Sequence, residues 1–313
     1  MRFFGVFVFA VLFMGCGKEK MPVVWERQDS GTAFNLSAIY FLDAQRGVAV
    51  GGNTWYQGVS LITTDGGRHW KADSLTNKQL FALDFDQEGE GVAAGIDGYV
   101  FSRGFQDVQW QFYRYPVWRF YRGVSHRPYG TLLAGGDGYK NGIIARLDAQ
   151  FQFDTFIEMA EEMNAVSFVT DQTAIAAGYG LVLRSEDGGR TWFPLPVGGD
   201  HFRGIHFPTE ETGYIVGYAG TILKTTDGGR SWEKLRDGGN IWVPNMPFRA
   251  VFFVDEETGY LAGDGGLVWK TTNGGEDWMQ LEDLPEIDFY DIHVVGNEGW
   301  LAGEGGAIIH FQE

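Results

Sequence analysis

The chain carries one short block, S/T-x-D/N-G-G-x-x-W, at four places along its length. Where the repeat is clearest, two further blocks precede it in a fixed order: an apolar segment with strand character, then a second segment that ends in Gly. Recurrence of such a composite unit at regular spacing is the signature of a repeat architecture, in which each unit packs against its neighbours. The four copies of the block are ITTDGGRHW (62–70), RSEDGGRTW (184–192), KTTDGGRSW (224–232) and KTTNGGEDW (270–278).

Alignment of the first apolar segment extends the repeat to seven copies. Successive copies start 39 to 46 residues apart, which matches the roughly 40 to 50 residues of a four-stranded propeller blade. The second position of the segment is small in six copies and the third is branched in all seven, which is typical of strands stacked blade against blade around a crowded axis. We therefore predict an all-β, seven-bladed β-propeller of four-stranded blades. The copies start at Ser37, Phe81, Arg122, Asn164, Arg203, Arg249 and Tyr290.

The composition agrees with many short strands joined by tight turns. The chain has 46 Gly and 16% aromatic residues, and amphipathic periodicity of the helical kind is almost absent. Only the segment 157–163 (IEMAEEM) has a helical pattern.

The two ends of the repeat region complete each other. The seventh copy stops at Phe311 after only three strands, whereas the segment 23–31 (VVWERQDSG) has the pattern of a fourth, Trp-bearing strand. If this N-terminal strand completes the last blade, the ring is closed and has no open edge between its ends. We therefore assign the propeller domain to residues 23–313.

The Asp-Gly-Gly turn has a local structural explanation. The Asp carboxylate can accept backbone N–H groups across the hairpin, Gly takes the positive φ, and Trp packs beneath. The acids recur once per blade, so a ring separates them widely, and an Asn replaces one of them. We therefore predict that they maintain the fold and are not catalytic. The residues concerned are Asp65, Asp187, Asp227 and Asn273, with Trp70, Trp192, Trp232 and Trp278.

This turn resembles the Asp box of bacterial neuraminidase-type (BNR) repeats. The fuller pattern, G-Y-x-V-G-x-x-G-x-I-x-K-T-T-D-G-G-x-x-W, resembles the photosystem II stability/assembly factor family. The resemblance covers residues 23–313 and is clearest at 203–281. It implies a seven-bladed, non-enzymatic scaffold that helps to assemble membrane complexes, and several members carry an arginine patch on one face.

The insertions beyond the minimal blade collect on one predicted face, which holds the fourth-to-first and second-to-third connections. Arg122, Arg203 and Arg249 share the strand-start position at the mouth of the central channel. Aromatic residues mixed with Arg on loops are typical of binding interfaces, and such a patch could hold a carboxylate, a phosphate or an acidic segment. Alternatively, each Arg pairs with a neighbouring acid and joins the blades. The same face is expected to hold Arg114, Arg119, Trp55, Tyr56, Tyr115, Trp118, Tyr121, Trp242 and Phe248.

Two other functions are weighed against a protein-binding scaffold. A sialidase-like glycoside hydrolase would need a Tyr nucleophile with acidic partners, for which Tyr290 with Glu286 or Asp291 are the candidates. The F/Y-R-I-P motif of that class is absent. A carbohydrate-binding module is the other alternative. No metal site is predicted, because the six His lack ligand spacing. No catalytic residue or cofactor is predicted, because the sequence offers neither a phosphate-binding Gly loop between a strand and a helix nor a Ser-His-Asp arrangement.

The N-terminal segment predicts export and lipid anchoring. Residues 1–15 read as a signal peptide, and Cys16, the single cysteine, follows Gly as in a bacterial lipobox. We expect acylation of Cys16, a tether over 16–22, and a membrane-anchored protein that faces the periplasm or the cell surface. The formal net charge of −17 argues against nucleic acid as a partner. The expected protein is a monomer that binds envelope or membrane proteins.

Overall fold

The computed structural model describes residues 20–107 and 109–312. The predicted signal peptide and Cys16 lie outside these residues. Seven sheets follow one another along the chain, and the innermost strand of each blade contacts that of the next, with the seventh returning to the first. The predicted all-β, seven-bladed propeller of four-stranded blades is therefore confirmed.

The N-terminal strands are β1 (Lys20–Met21) and β2 (Val24–Gln28). Blade one comprises β3 (Asn35–Phe41), β4 (Gly47–Asn53), β5 (Gln57–Thr63) and β6 (Lys71–Thr76). Blade two comprises β7 (Leu80–Phe85), β8 (Glu90–Gly95), β9 (Tyr99–Gly104) and β10 (Gln111–Arg114). Blade three comprises β11 (Phe120–Arg127), β12 (Gly130–Asp137), β13 (Lys140–Leu147) and β14 (Phe153–Glu161).

Blade four comprises β15 (Met163–Phe168), β16 (Ala174–Gly178), β17 (Val182–Ser185) and β18 (Phe193–Pro194). Blade five comprises β19 (Phe202–His206), β20 (Gly213–Gly217), β21 (Ile222–Thr225) and β22 (Glu233–Arg236). Blade six comprises β23 (Phe248–Phe253), β24 (Gly259–Gly263), β25 (Val268–Thr271) and β26 (Met279–Leu281). Blade seven comprises β27 (Phe289–Val295), β28 (Glu298–Gly303) and β29 (Ile308–Gln312). A short 3-10 turn follows the second strand in blade six (Asp264–Gly266) and in blade seven (Glu304–Gly306).

The N-terminal strand closes the ring as predicted. Strand β2 pairs antiparallel with β29, with Val24 opposite Gln312 and Gln28 opposite Ile308. One pairing was not anticipated from the sequence: β1 adds to blade six as a fifth strand, parallel to β26. Both N-terminal strands therefore hold the chain to the outer edges of two neighbouring blades.

The segment 157–163, which has a helical sequence pattern, does not form a helix, so this expectation is wrong. Strand β14 runs to Glu161, and a new blade begins at Met163. Ile157 pairs with Ile144, and Met159 pairs with Gly142, on the neighbouring strand β13. Pairing along a whole strand outweighs a few tenths of a kcal/mol per residue of helix propensity.

The core consists of apolar layers between adjacent blades. Tyr214 of blade five stacks on Phe253 of blade six with ring centroids 3.6 Å apart, and Phe41 stacks in the same way on Trp300. At the second position of the inner strand of blade three, glycine is a steric requirement. A Cβ atom at Gly123 would lie only 2.8 Å from the backbone oxygen of Asn164 in the next blade. In the part of the chain that the structure describes, no helix is long and apolar enough to cross a membrane.

Candidate functional site

A cavity of about 400 Å³ opens at the mouth of the central channel. The inner strand of each blade begins at this mouth, and the strand-start residue of all seven blades lines the cavity. The repeat therefore places one chemically variable side chain per blade around a single opening. These residues are Ser37, Phe81, Arg122, Asn164, Arg203, Arg249 and Tyr290.

Aromatic and imidazole rings of four neighbouring inner strands contact one another in a row. The rings of His206, Phe252, His293 and Tyr40 form a chain of contacts across blades five, six, seven and one, with centroid separations of 4.5 to 4.6 Å. Burial lowers the pKa of His206 to about 4 and that of His293 to about 3. His206 Nδ1 accepts the N–H of Phe253 in the next blade at 3.1 Å. These histidines are therefore neutral acceptors that join blades.

The three strand-start arginines lie around one cavity, and two of them have acidic partners. Arg122 Nε donates to Glu162 Oε1 at 2.5 Å, and its guanidinium lies 5.1 Å from the Phe120 ring centroid. Arg249 forms a two-point ion pair with Asp264, in which Nη2 donates to Oδ2 at 3.0 Å. For Arg122 and Arg249, the geometry therefore agrees with the alternative in which each Arg pairs with a neighbouring acid.

Arg203 differs from the other two. Among the described residues, no carboxylate oxygen lies within ion-pairing distance of its guanidinium, and its buried Nε has no hydrogen-bond partner. The pKa of Arg203 is lowered by burial and then by the positive charges of Arg122 and Arg249. Its polar contact is with His201, at 3.5 Å from Nη2 to Nδ1. An unpaired, partly desolvated cation facing a cavity is suited to hold an anion.

Tyr218 holds two of the arginines in place. The guanidinium carbon of Arg203 lies 5.7 Å from the Tyr218 ring centroid, and that of Arg249 lies 5.4 Å away. The Tyr218 hydroxyl donates to Asp264 Oδ2 at 2.9 Å. One phenol therefore packs against both cations and orients the acid that neutralises only Arg249.

The other predicted face residues lie outside the mouth. Arg114 packs over Trp118 at 5.0 Å and over Tyr99 at 5.5 Å, and Arg119 pairs with Glu158 at 2.7 Å. Trp118 is 72% exposed and Trp242 is 86% exposed, on the links into blades three and six. The structure thus gathers three arginines around one cavity, whereas Arg114, Arg119, Trp118 and Trp242 do not line it.

Two aromatic residues expected on the binding face are instead in the core. Tyr121 and Phe248 are fully buried, so their assignment to an interface is wrong. Tyr121 packs with Leu133 and other residues between blades two and three, and Phe248 packs with Val251 and Trp269. Each lies next to an exposed loop in sequence, but it belongs to the strand position that points between blades.

Several residues around the mouth have no role assigned from the sequence, although the insertion 139–142 is placed on this face. Glu162 lies between Arg122 and the backbone of blade three, where its Oε2 accepts the N–H of Tyr139 at 2.9 Å. Tyr139 and Tyr179 are exposed and contact His201 with centroids 5.2 and 5.4 Å away. A signal was present, because Tyr139 and Tyr179 lie in second-to-third turns that point to the same face.

The Asp-box residues lie in the turns on the opposite side of the ring. Asp187 Oδ1 accepts the N–H groups of Arg190 and Thr191 at 3.0 and 2.8 Å, and Oδ2 accepts the Thr191 hydroxyl at 2.6 Å. These hydrogen bonds, opposed by burial, lower the pKa of Asp187 to about 2. Asn273 repeats the arrangement by accepting the N–H of Asp277 at 3.0 Å. The same turn geometry occurs at Asp65 and Asp227, and Trp70, Trp192, Trp232 and Trp278 pack against the blade cores.

The residues considered for glycoside hydrolysis are poorly suited to it. Burial raises the pKa of Tyr290, which is opposite to the change that would activate a phenol as a nucleophile. Asp291 is engaged by the backbone, since its Oδ2 accepts the N–H of Ile39 at 2.8 Å. Over residues 20–107 and 109–312, no group of three or more His, Cys, Asp or Glu side chains could hold a metal ion.

Comparison with known proteins supports the resemblance at two levels. Residues 194–285 match the family model of the photosynthesis system II assembly factor YCF48. A solved structure described as YCF48 bound to D1 peptide superposes with a TM-score of 0.71 at 17% identity, over 95% of this chain and 100% of that one. YCF48 from Cyanidioschyzon merolae superposes with a TM-score of 0.68 at 16% identity, over 92% of this chain and 98% of that one.

The structural likeness by itself identifies only the fold. The WD40 propeller domain of Doa1 superposes equally well, with a TM-score of 0.71 at 9% identity over 93% of this chain and 98% of that one. The comparison with curated proteins gives no match. The sequence match over residues 194–285, together with the seven-bladed ring, confirms the resemblance of this chain to the YCF48 photosystem II assembly factor family.

Proposed function

We propose that this protein is a non-enzymatic scaffold, anchored to the bacterial envelope through Cys16, that binds a segment of another envelope or membrane protein at the arginine mouth. The arginine mouth is defined by Arg122, Arg203 and Arg249. The carboxylate of an acidic side chain or of a chain terminus is the group that this mouth accommodates best.

The observation that carries this proposal is the state of Arg203. Arg203 is partly desolvated and flanked by two further cations, and it has no carboxylate partner among the described residues. A cation in this state lowers the stability of the free protein. An anionic ligand would neutralise it and satisfy its free N–H groups. The similar protein whose structure is described as bound to a D1 peptide supports a peptide as the ligand here.

The exposed aromatic side chains supply apolar contact beside the charge. Trp118 and Trp242 lie on links that join the mouth side of the ring, and Arg114 packs over Trp118. Aromatic and Arg side chains contribute most of the energy in many interfaces. We propose that a bound segment crosses the mouth and contacts these tryptophans.

The test is affinity capture, with crosslinking, from gently solubilised native membranes. Arg203→Gln removes the unpaired cation, and Arg230→Gln is the matched control, because it removes one exposed positive charge from an Asp-box turn on the opposite side. We expect the parent and Arg230→Gln to recover the same membrane protein and Arg203→Gln to lose it. Equal recovery by all three would refute the assignment of the mouth.

Anchoring is tested separately with Cys16→Ser. This variant should be exported, soluble and fully folded, because Cys16 precedes every residue of the ring. Intact-mass measurement of the parent should show an acylated N-terminal cysteine. Retention of Cys16→Ser in the cytoplasm, or an unmodified parent, would contradict the anchoring.

A sialidase-like or carbohydrate-binding function is the alternative. Three arginines beside a tyrosine at one cavity favour it, whereas the raised pKa of Tyr290 argues against catalysis. A sialoside and glycan binding screen distinguishes the two functions. Binding of a sialoside that Arg203→Gln abolishes would favour the alternative.

A further inference from the structure

Strand β1 pairs with blade six before the chain reaches blade seven. Lys20 lies opposite Gln280 and Met21 lies opposite Leu281 in the parallel β1–β26 pair. The N–H of Glu282 donates to the Met21 carbonyl at 3.0 Å, and Lys20 Nζ pairs with Glu282 Oε1 at 2.8 Å. Met21 also packs against the core between blades six and seven.

A second contact reinforces this attachment. Trp25 Nε1 donates to the Asp283 carbonyl at 2.8 Å, across from blade seven to blade six. The segment from Lys20 to Trp25 is therefore attached at both ends to the outer edge of the ring. In the part of the chain that the structure describes, blade six alone gains a fifth strand.

The direction of β1 shows from which side the chain arrives. The fourth strand of a blade starts at the Asp-box turn and ends at the link on the mouth side, as β26 does between the turn at 272–278 and the link at 282–288. Because β1 is parallel to β26, the chain reaches Lys20 while travelling in the same direction. Lys20 is therefore the end of β1 nearer the Asp-box side, and the chain runs from there toward the mouth side.

Chain length then limits where the anchor can be. Cys16 and Lys20 are separated by three residues, so four peptide steps span at most about 14 Å. Lys20 pairs near the start of β26, only two residues after Trp278 of the Asp box. To reach a bilayer on the mouth side, the tether would have to reverse and pass the rest of the strand and its link.

We propose that the Asp-box side of blade six is the membrane-proximal surface of the anchored protein and that the arginine mouth faces away from that bilayer. This inference rests on the proposed acylation of Cys16. Exposed acids dominate the proposed membrane-proximal surface, so the acyl chains and the β1 pairing orient the ring, and headgroup attraction does not. These acids are Asp255, Glu256, Glu257, Glu276 and Asp277.

An orientation of this kind restricts the partner. A mouth that faces away from the bilayer can receive a segment that extends well beyond the membrane surface. It cannot receive a loop that lies within the headgroup region next to the anchor. The ligand is accordingly an extended tail or a long loop of a membrane protein, or a protein of the aqueous compartment.

The experiment uses the acylated full chain in phosphatidylcholine vesicles that carry a headgroup nitroxide. Because acylation blocks the single native thiol, one introduced cysteine can carry a fluorophore. The positions are Glu276→Cys on the proposed membrane side, Gln150→Cys in the corresponding turn of blade three, and Asp137→Cys on the mouth side. All three residues are exposed.

We expect strong quenching at position 276, weaker quenching at 150 and none at 137. The variant Lys20→Glu/Met21→Asp releases β1 by repelling Glu282 and removing the apolar contact, and it should abolish the difference among positions. Equal quenching at all positions in the parent, or stronger quenching at 137 than at 276, would overturn the inference.

Two controls separate this inference from the proposed anchoring. Intact mass and vesicle flotation report acylation; without acylation, both the anchoring and the orientation fail. In the soluble Cys16→Ser chain, hydrogen exchange at the Glu282 amide reports the β1 pairing without any lipid. If the amide is protected in Cys16→Ser and loses that protection when Lys20→Glu/Met21→Asp is added, the pairing is supported. An unprotected amide in Cys16→Ser overturns the orientation, even if Cys16 of the unmutated chain is acylated.

Discussion

Arg203 and Arg122 occupy the same position of the repeat, but their different partners predict opposite effects on stability. Arg203→Met removes a half-buried cation whose buried Nε has no hydrogen-bond partner. An unsatisfied buried donor costs about 1–3 kcal/mol, and loss of the contact with Tyr218 removes about 0.5–2 kcal/mol of favourable energy. We therefore expect Arg203→Met to raise the free energy of unfolding by about 1 kcal/mol.

Arg122→Met should act in the opposite direction. The side chain of Glu162 is only 3% exposed, and the substitution leaves its carboxylate without the cation. Removal of one partner from a buried pair costs about 3–5 kcal/mol. Because Arg122 itself is partly exposed and the Tyr139 N–H still bonds Glu162, we expect a loss of about 2–3 kcal/mol.

Differential scanning calorimetry of the soluble Cys16→Ser chain measures both effects. For roughly 300 residues, the entropy of unfolding is about 0.6 kcal/mol per kelvin. The Tm should therefore rise by about 2 °C in Arg203→Met and fall by about 3–5 °C in Arg122→Met. A fall in Tm for Arg203→Met as large as that for Arg122→Met would refute the reasoning, since it would make Arg203 a structural cation.

Three further predictions follow from the geometry. His206 and His293 have lowered pKa values in the folded protein. Their contribution to the free energy of unfolding is therefore fully present above the unfolded-state pKa of about 6.5 and is progressively lost as the pH falls toward 4. Between pH 7 and 5, the Tm of His206→Gln/His293→Gln should therefore fall less than that of the parent. The comparison separates these imidazoles from Asp291, which both proteins contain and whose raised pKa acts with the opposite sign. An identical dependence of Tm on pH in the two proteins would count against this role of the histidines. Gly123→Val places a Cβ 2.8 Å from a backbone oxygen of the next blade, so it should lower the free energy of unfolding by about 2–3 kcal/mol. A urea titration measures this change. An unchanged urea midpoint would mean that the two inner strands can move apart at no cost. Trp242→Ala should change Tm by less than about 1 °C because the side chain is exposed, yet it should weaken membrane-protein capture; full capture would remove Trp242 from the interface.

The sequence by itself determined the architecture of this protein. Seven copies of one strand pattern, at blade-length spacing, can bury their apolar faces only by stacking around an axis. The missing fourth strand of the last copy and the Trp-bearing segment at 23–31 determined the closure. Because the repeat aligns equivalent positions, it also placed Arg122, Arg203 and Arg249 at one mouth, where the structure has them.

Other properties were decided only by the tertiary structure, because they depend on contacts between residues far apart in the chain. Glu162 pairs with Arg122 across 40 residues, whereas no acid among the described residues forms an ion pair with Arg203. Tyr121 is buried because its strand position points between two blades. The pairing of β1 with β26 joins residues about 260 apart and has no local signature. Sequence periodicity specifies which positions face the axis, whereas packing of distant segments decides which charges are neutralised and which remain available for a ligand.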